Sequence, residues 1–243
     1  MQSTFHVFSP AHLVAIAMVP AVAAWLAAVQ RKYPRADGVI RYSLVCLLLL
    51  CSIWYYGSFP LHGESLFPNH LPLELCDASL YMTIATLLIL KAATFDLAYY
   101  WALTGSALAM VTPNLTQASL FTEVEFFASH GLTVAAVLYL VWSRQARPRL
   151  GSARRAMVGL NAMAVVVGTF DAVFNTNYMF LRAKPQGHTI MDFFGPWPWY
   201  IAVCELLAAV LFTALYLPFR RRRLRGPRTE EVKQEPAEVP ASR

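Results

Sequence analysis

Charged residues are scarce in this sequence of 243 residues. Lys, Arg, Asp and Glu make up only 14% of the chain, whereas 57% of it is hydrophobic. Soluble domains usually carry about 25% charged residues, and disordered chains combine high charge with low hydrophobicity. Both classes are therefore excluded, because a soluble fold would lack the polar surface to cover itself. At about 20 residues per span, the apolar content predicts an all-α membrane protein with seven transmembrane helices.

Motifs for disulfides, metals and cofactors are also missing. No HxxxH or HExxH pair puts two histidines on one helix face, and the last apolar run has no lysine for a retinal Schiff base. We expect no metal and no other cofactor, with a zinc site from His12, His70, His130 and an acid as the weaker alternative. Four cysteines lie in apolar stretches without CxxC spacing: Cys46, Cys51, Cys76 and Cys204.

Seven apolar runs are long enough, or nearly so, to cross a bilayer. Ser9 and Pro10 have the signature of a helix start, because serine caps a helix and proline is tolerated at its first position. No Lys or Arg precedes Arg31, so we expect the first run to be a retained helix and not a cleaved signal peptide. The predicted spans are residues 10–29, 39–59, 71–90, 95–112, 122–142, 156–174 and 197–219. They form one transmembrane domain, 1–219, followed by a disordered basic cytoplasmic tail, 220–243.

Lys and Arg are distributed very unevenly between the two sides of the predicted bundle. With the tail inside, 18 of the 20 lie on the inner side, and only Arg182 and Lys184 lie outside. The positive-inside rule therefore predicts an outer N-terminus and a cytoplasmic C-terminus. Because the net charge of +6 reflects this topology signal, we expect no nucleic-acid partner.

Most ionisable residues within the spans fall at one depth. Such residues are costly in a membrane, so each is a candidate for a functional site. Helix dipoles explain Glu74, Glu123 and Glu125 at helix N-termini, but not Asp171 or Glu205. The inner half has almost no ionisable group, which favours an outer-half cavity over a pathway across the bilayer. The outer-half residues are His12, Glu74, Asp77, Glu123, Glu125, His130, Asp171 and Glu205.

Cys76 and His130 are the candidate nucleophile and base. If Pro72 is the first helical residue, Cys76 lies just past the first turn, where the positive helix end favours a thiolate. Position alone favours a buried, inert cysteine. His130 is either a core histidine bonded across helices or a general base. Asn175 and Asn177 offer donors for an oxyanion or a headgroup, and interhelical hydrogen bonding is the plain alternative.

Four segments carry a resemblance that covers nearly the whole chain. They are residues 8–13 (FSPAHL), 71–77 (LPLELCD), 175–181 (NTNYMFL) and 192–200 (DFFGPWPWY). Together they resemble the bacterial YwaF integral membrane family, which is similar to mammalian transmembrane protein 164, an acyltransferase acting on ether phospholipids. Both look related to androgen-induced-gene-type membrane hydrolases. The resemblance implies that Cys76 is the acyltransferase nucleophile and His130 its partner.

The combined interpretation is a phospholipid acyltransferase or lipid hydrolase of the cell membrane, with its site in the outer half. A membrane phospholipid is the expected partner. The Cys76 and His130 side chains should approach each other to within hydrogen-bonding reach, directly or through one water molecule. One alternative is a small-solute or lipid transporter with Asp171 and Glu205 as coupling acids, and another is a non-catalytic scaffold. The expected substrate-binding or supporting residues are His12, His70, Asp77, Asp171, Asn175, Asn177, Arg182 and Glu205.

Overall fold

Regular structure in this chain is helical throughout the part that the computed structural model describes, residues 5–113, 115, 119–185 and 189–224. No β-strand occurs in those residues, and the predicted all-α class is confirmed. The α-helices are α1 (Pro10–Lys32), α2 (Asp37–Leu61), α3 (Leu75–Ile89), α4 (Ala92–Trp101), α5 (Ala107–Val111), α6 (Leu120–Trp142), α7 (Ser152–Phe174) and α8 (Trp199–Leu224). Short 3-10 helices cover Pro34–Ala36, Tyr178–Phe180 and Ile190–Phe194, and a π-helical segment covers Ala102–Ser106.

Five of the helices are long and apolar enough to cross a membrane. They are Pro10–Lys32, Pro34–Leu61, Leu120–Trp142, Ser152–Phe174 and Trp199–Arg220. Their outward faces expose large apolar side chains such as Trp25, Val166 and Leu206, each more than 60% exposed. Contiguous exposed apolar surface of this kind is stable in lipid and not in water. The chain is therefore built as a multi-pass membrane protein.

The third and fourth predicted spans take shorter or less regular forms. Helix α3 has 15 residues and begins at Leu75, not near Leu71 as the sequence predicts. Leu71 lies in a turn, because its backbone N–H donates to the Tyr178 hydroxyl at 2.7 Å, and Asp77 then closes the helix start by accepting from the Glu74 N–H at 3.1 Å. Helices α4 and α5 are joined end to end by the π segment into one rod of helix, with helical backbone angles at both junctions.

The predicted N-terminal cap of the first helix is confirmed. The Ser9 hydroxyl accepts from the His12 backbone N–H at 3.3 Å, and Pro10 occupies the first helical position. At the other end of the chain, α8 continues to Leu224, five residues beyond the predicted boundary of the transmembrane domain. Residues 225–243 of the predicted tail lie outside the described residues.

Contacts between helix ends define two ends of the bundle. At the end called here the arginine end, Arg41 of α2 donates to the Leu87 carbonyl of α3 at 2.6 Å, and Tyr139 of α6 donates to Asp37 of α2 at 2.8 Å. At the end called here the site end, His12 of α1 bonds the Met110 carbonyl of α5 at 2.7 Å. A core of aromatic and aliphatic side chains on α2, α3, α4 and α6 lies between these ends.

One buried acid lies where the sequence predicts almost no ionisable group. Asp96 of α4 is 1% exposed, and Oδ2 of its carboxylate lies 2.7 Å from Arg149 and 2.8 Å from Arg155. These arginines belong to the loop after α6 and to the first turn of α7. Asp96 is thus one of the few ionisable groups in this half, and it is neutralised by Arg149 from the loop and Arg155 from α7.

Candidate functional site

Cys76 is the second residue of α3, inside the first helical turn. The π segment brings the Ser106 hydroxyl into hydrogen-bonding contact with the Cys76 thiol. Ser79, one turn further along α3, donates to the Cys76 carbonyl at 2.8 Å and lies 3.0 Å from the Ser106 hydroxyl. Ser79 and Ser106 are both almost fully buried. The thiol is thus held beside a pair of protein hydroxyls at the start of a helix.

His130 of α6 is fixed in one tautomer by its own helix. Its Nδ1 lies 2.8 Å from the Phe126 carbonyl oxygen, and its ring stacks on the Phe126 ring with centroids 4.2 Å apart. The Ser129 hydroxyl lies 3.2 Å from the same nitrogen. Because a carbonyl can only accept, Nδ1 carries the proton of the neutral ring and Nε2 carries the lone pair. Nε2 accepts no hydrogen bond from the described residues. A general base requires such an unoccupied lone pair.

Cys76 and His130 are carried by helices that pack against each other. Helices α3 and α6 are in contact, and both contact the π segment. Within the described residues no direct hydrogen bond joins the two side chains, since Cys76 bonds Ser106 and His130 bonds Phe126. Their approach to within one water molecule stays a prediction.

Three carboxylates and a tyrosine surround the start of α3. Tyr56 of α2 is hydrogen-bonded to Asp77, and Glu125 of α6 is hydrogen-bonded to Ser129. Asp77 is close enough to both Glu74 and Glu125 to interact electrostatically with them. Several acidic side chains therefore lie around the N-terminal turn of α3, close to Cys76.

The loop after α7 is organised by Asp171 and Arg182. Asp171 is fully buried, and its Oδ1 accepts from the Thr176 hydroxyl at 2.6 Å and from the Tyr178 N–H at 3.0 Å. Arg182 Nη1 donates to the Asp171 carbonyl at 3.0 Å and to Asn175 Oδ1 at 2.9 Å. Asn177 Oδ1 accepts from the backbone N–H of Arg182 at 2.9 Å. The structure therefore brings the predicted residues Asp171, Asn175, Asn177 and Arg182 together.

This loop is joined to the segment that leads into Cys76. The Tyr178 hydroxyl donates to the Pro68 carbonyl at 2.8 Å while accepting from the Leu71 N–H. Burial raises the pKa of the Tyr178 phenol, so the hydroxyl stays protonated and keeps both roles. Glu74 Oε2 accepts from the Met179 N–H at 2.9 Å. Through these bonds the Asp171 group lies next to the N-terminal turn of α3.

Other predicted residues have partners of their own. His12 accepts from the Phe8 N–H at Nδ1 and bonds Met110 through Nε2, so both of its nitrogens are occupied. His70 stacks on Phe59 and lies 3.3 Å from Glu64. Glu205 of α8 accepts from Asn161 of α7 at 3.0 Å, apart from the hydrogen bonds of the Asp171 group. Among the described residues no group of three or more His, Cys, Asp and Glu is arranged to hold a metal ion.

Sequence comparison gives a family for this arrangement. The profile of the TMEM164 family matches residues 3–216, which include every residue of the candidate site. The chain belongs to the TMEM164 family. An uncharacterised protein of Treponema pallidum (strain Nichols) is 26% identical to this TMEM164-family protein over 181 residues, which cover 74% of each chain. No solved structure matches the chain.

Several contributors to this TMEM164-family site escape detection from the sequence. Ser79 follows Cys76 by three residues, a spacing that places both on one helix face and was available as a signal. Ser106 and Tyr178 carried no comparable signal, because their partners lie 27 and 107 residues away in the chain. Tyr56 is hidden in a cluster of aromatic residues at the end of α2, typical of a membrane interface.

Proposed function

We propose that this TMEM164-family protein is a cysteine- and histidine-dependent phospholipid acyltransferase or lipid hydrolase acting in the outer half of the bilayer. The observation that carries the proposal is the fixed tautomer of His130. Its Nε2 accepts no hydrogen bond from the part of the chain that the structure describes, and its helix packs against the helix that carries Cys76. A base with an available lone pair on an element neighbouring a thiol is the arrangement that nucleophilic catalysis requires.

The proposed reaction has two steps. In the first, His130 Nε2 takes the Cys76 proton as the sulfur attacks an acyl ester carbonyl, forming a C–S bond and breaking the C–O bond. The leaving lyso-lipid oxygen takes the proton back from His130. In the second step His130 deprotonates the hydroxyl of an acceptor lyso-lipid, or water, which attacks the thioester and releases the thiol. Proton removal and attack occur together in this proposal, so that no free thiolate forms.

Arg182, Asn175 and Asn177 are proposed to receive the lipid headgroup. Arg182 is exposed, and only Nη1 of its guanidinium is bonded within the described residues. Its other guanidinium nitrogens remain available for a phosphate, for which arginine has a well-matched donor geometry. The bonds from this loop to Pro68 and Leu71 hold a bound headgroup near Cys76.

We also propose seven spans, with the N-terminus outside, in the cell membrane. Five helices are long and apolar enough to cross the membrane. In this proposal the other two crossings are the short helix α3 and the rod formed by α4, the π segment and α5. Arg31 in the last turn of α1, Arg144 and Arg149 in the α6–α7 loop and Arg155 in the first turn of α7 line one cavity with Phe219 of α8. The basic residues of the α1 end and of the α6–α7 connection therefore collect at one end of the bundle, which supports the orientation given by the charge count.

Trapping of the acyl-enzyme tests the reaction. Full-length protein is incubated with phospholipid labelled in its acyl chains, and peptides are analysed by mass spectrometry under conditions that preserve thioesters. The expected adduct is on Cys76 and is absent in Cys76→Ser, because a serine hydroxyl has a much higher pKa and is a poor substitute for a thiol in such a site. Cys204→Ser is the matched control and should retain the adduct. An unmodified Cys76 across a broad lipid panel, with full cellular activity of Cys76→Ser, contradicts the proposal.

A further inference from the structure

A large cavity opens at the arginine end, away from Cys76. Its volume is 1330 Å³, and it lies between the ends of α1, α6 and α8 and the α6–α7 loop. Aromatic side chains, Trp142 and Phe219 among them, form apolar walls. Its basic lining consists of Arg31, Arg144, Arg147, Arg149 and Arg155.

The positive charge of this cavity is only partly balanced by the chain. Asp96 is the acid beside it, and its buried carboxylate binds Arg149 and Arg155. Arg144 and Arg147 have no ion pair with a carboxylate in the described residues. Asp96 thus orients two guanidinium groups, while the remaining arginines keep their charge available to a ligand. Among the described residues, five arginines line the cavity and one carboxylate lies beside it, so the net positive charge favours an anionic ligand.

The loop that carries Arg144 and Arg147 is held in a defined shape. Arg144 has a φ of 64°, in the left-handed region that arginine rarely adopts. The N–H groups of Gln145 and Ala146 both donate to the Leu140 carbonyl, at 3.0 and 3.1 Å. A left-handed residue just after the last helical turn is a common way for a helix to end, and these backbone bonds fix the direction in which the loop leaves α6.

Gln145 lines the cavity and is held in place by its side-chain amide. Its side-chain nitrogen donates to the hydroxyls of Tyr139 and Ser143. Those hydroxyls donate elsewhere, to Asp37 and to the Tyr139 carbonyl, so the amide orientation follows from the network. The Gln145 Oε1 atom is buried and has no hydrogen-bond partner in the described residues. The atom lies behind the cavity surface, so Gln145 contributes to the cavity by fixing the start of the α6–α7 loop through Tyr139 and Ser143.

We propose that this cavity binds an anionic phospholipid of the leaflet at the arginine end. The phosphate lies among Arg144, Arg147 and Arg149, and an acyl chain runs along Trp142. Arginine binds phosphate oxygens through charge-assisted hydrogen bonds, and the apolar walls accept a hydrocarbon chain. The site is separate from the Cys76 chemistry and does not depend on it.

Lipid binding to the full-length protein tests this site. The protein is placed in phosphatidylcholine nanodiscs, phosphatidylglycerol with the same acyl chains is titrated in, and thermal unfolding is followed, since a ligand that binds the folded state raises Tm with its concentration. Arg144→Gln/Arg147→Gln removes two exposed arginines that line the cavity. Arg35→Gln/Arg154→Gln is the control, because it removes two exposed arginines that do not line it. We expect the lining variant to weaken apparent phosphatidylglycerol affinity by about tenfold or more, and the control by less than about twofold.

Three results overturn the proposal. Equal weakening in both double variants means that the lipid responds to general surface charge. Equal stabilisation by phosphatidylcholine and phosphatidylglycerol removes the anionic requirement. Glycerol phosphate without acyl chains should bind at least about 100-fold more weakly than the lipid, because it buries no hydrocarbon. If it binds equally well, the ligand is a soluble phosphate compound and not a lipid.

Discussion

Three histidines of this protein differ in which of their ring nitrogens are hydrogen-bonded, and this difference decides which of them can act as a base. His12 has both ring nitrogens occupied, so it joins α1 to α5 and has no lone pair to offer. His62 and His130 both direct Nδ1 to the carbonyl four residues earlier in the chain. Of the two, only His130 lies within the helix bundle, on a helix that contacts α3. These contacts favour His130 over His12 and His62 as the base of the proposed reaction.

His130→Ala should slow acyl-cysteine formation by about 10² to 10⁴-fold, because base assistance is typically of that size. His62→Ala is the matched control, since this histidine makes the same local bond at an exposed position. The rate of adduct formation on Cys76 is measured in both variants, with thermal unfolding as a test of the fold. Equal rates in the two variants would leave His130 without a role in the reaction.

Asp171→Asn separates the enzyme from a transporter. An asparagine retains an oxygen for the hydrogen bonds from Thr176 and Tyr178, so the loop should keep its shape. For a residue that supports the site, we expect adduct formation to slow by less than about tenfold. A coupling acid must change its charge during transport, and its replacement by asparagine would abolish function entirely. Loss of cellular function with an unchanged rate of acylation would favour transport.

The sequence identifies polar residues of the site better than it identifies their partners. Asp171 and His130 stand out because ionisable groups within apolar runs are rare and costly. Ser106 does not stand out, because hydroxyls are common in membrane helices and bond their own backbone. Its contact with Cys76 exists only because the π segment and α3 pack together.

At the scale of helices, the close packing of α7 against α4 depends on Gly159, a residue of α7. A Cβ atom at Gly159 would lie 2.9 Å from a terminal carbon of Leu97 and 3.2 Å from the Trp101 ring. The Trp101 ring has little freedom to move, because its Nε1 donates to the Ala156 carbonyl at 3.2 Å. Helices in membranes commonly approach through small residues in this way.

Gly159→Ala should therefore destabilise the fold by about 1–3 kcal/mol, the usual cost of overpacking. Gly57→Ala in α2 has nothing within 4 Å of the new methyl group and should stabilise by about 0.5–1 kcal/mol, because alanine is the better helix former. Thermal unfolding of both variants in detergent should give Tm shifts of opposite sign. A neutral Gly159→Ala would mean that α4 and α7 can move apart freely.

Helix boundaries follow from the sequence where the signal is local. Ser9 caps α1 through bonds within its own turn, and that start is predicted correctly. The start of α3 is misplaced because Pro72 has the local signature of a first helical residue. The competing turn is held by Tyr178, 107 residues further along the chain, and no local pattern reports that contact.

At the scale of the whole molecule, the bundle has one end rich in arginine and one end rich in carboxylates and histidine. The count of Lys and Arg predicts which end faces the cytoplasm, because basic loops are retained there during insertion. It does not predict that Asp96 is buried against two of these arginines, since that requires the folded position of the α6–α7 loop.

Surface labelling of intact cells tests the orientation. Lys184→Cys should react with a membrane-impermeant maleimide from outside, whereas Arg147→Cys should react only after permeabilisation. The unsubstituted protein gives the background from its four native cysteines. The reverse labelling pattern would put the Cys76 site in the cytoplasmic half and contradict the proposed topology.

The π segment at Ala102–Ser106 changes the directions around the helix axis in which side chains before and after it point. A π turn accommodates one residue more than an α turn, and one residue corresponds to about 100° of rotation. Asp96, before the segment, faces the arginines, and Ser106, at its end, faces Cys76. A single inserted residue thus sets the direction of the hydroxyl independently of the acid. Substitutions that adapt α4 to the arginines can therefore occur without changing the direction of the Ser106 hydroxyl towards Cys76.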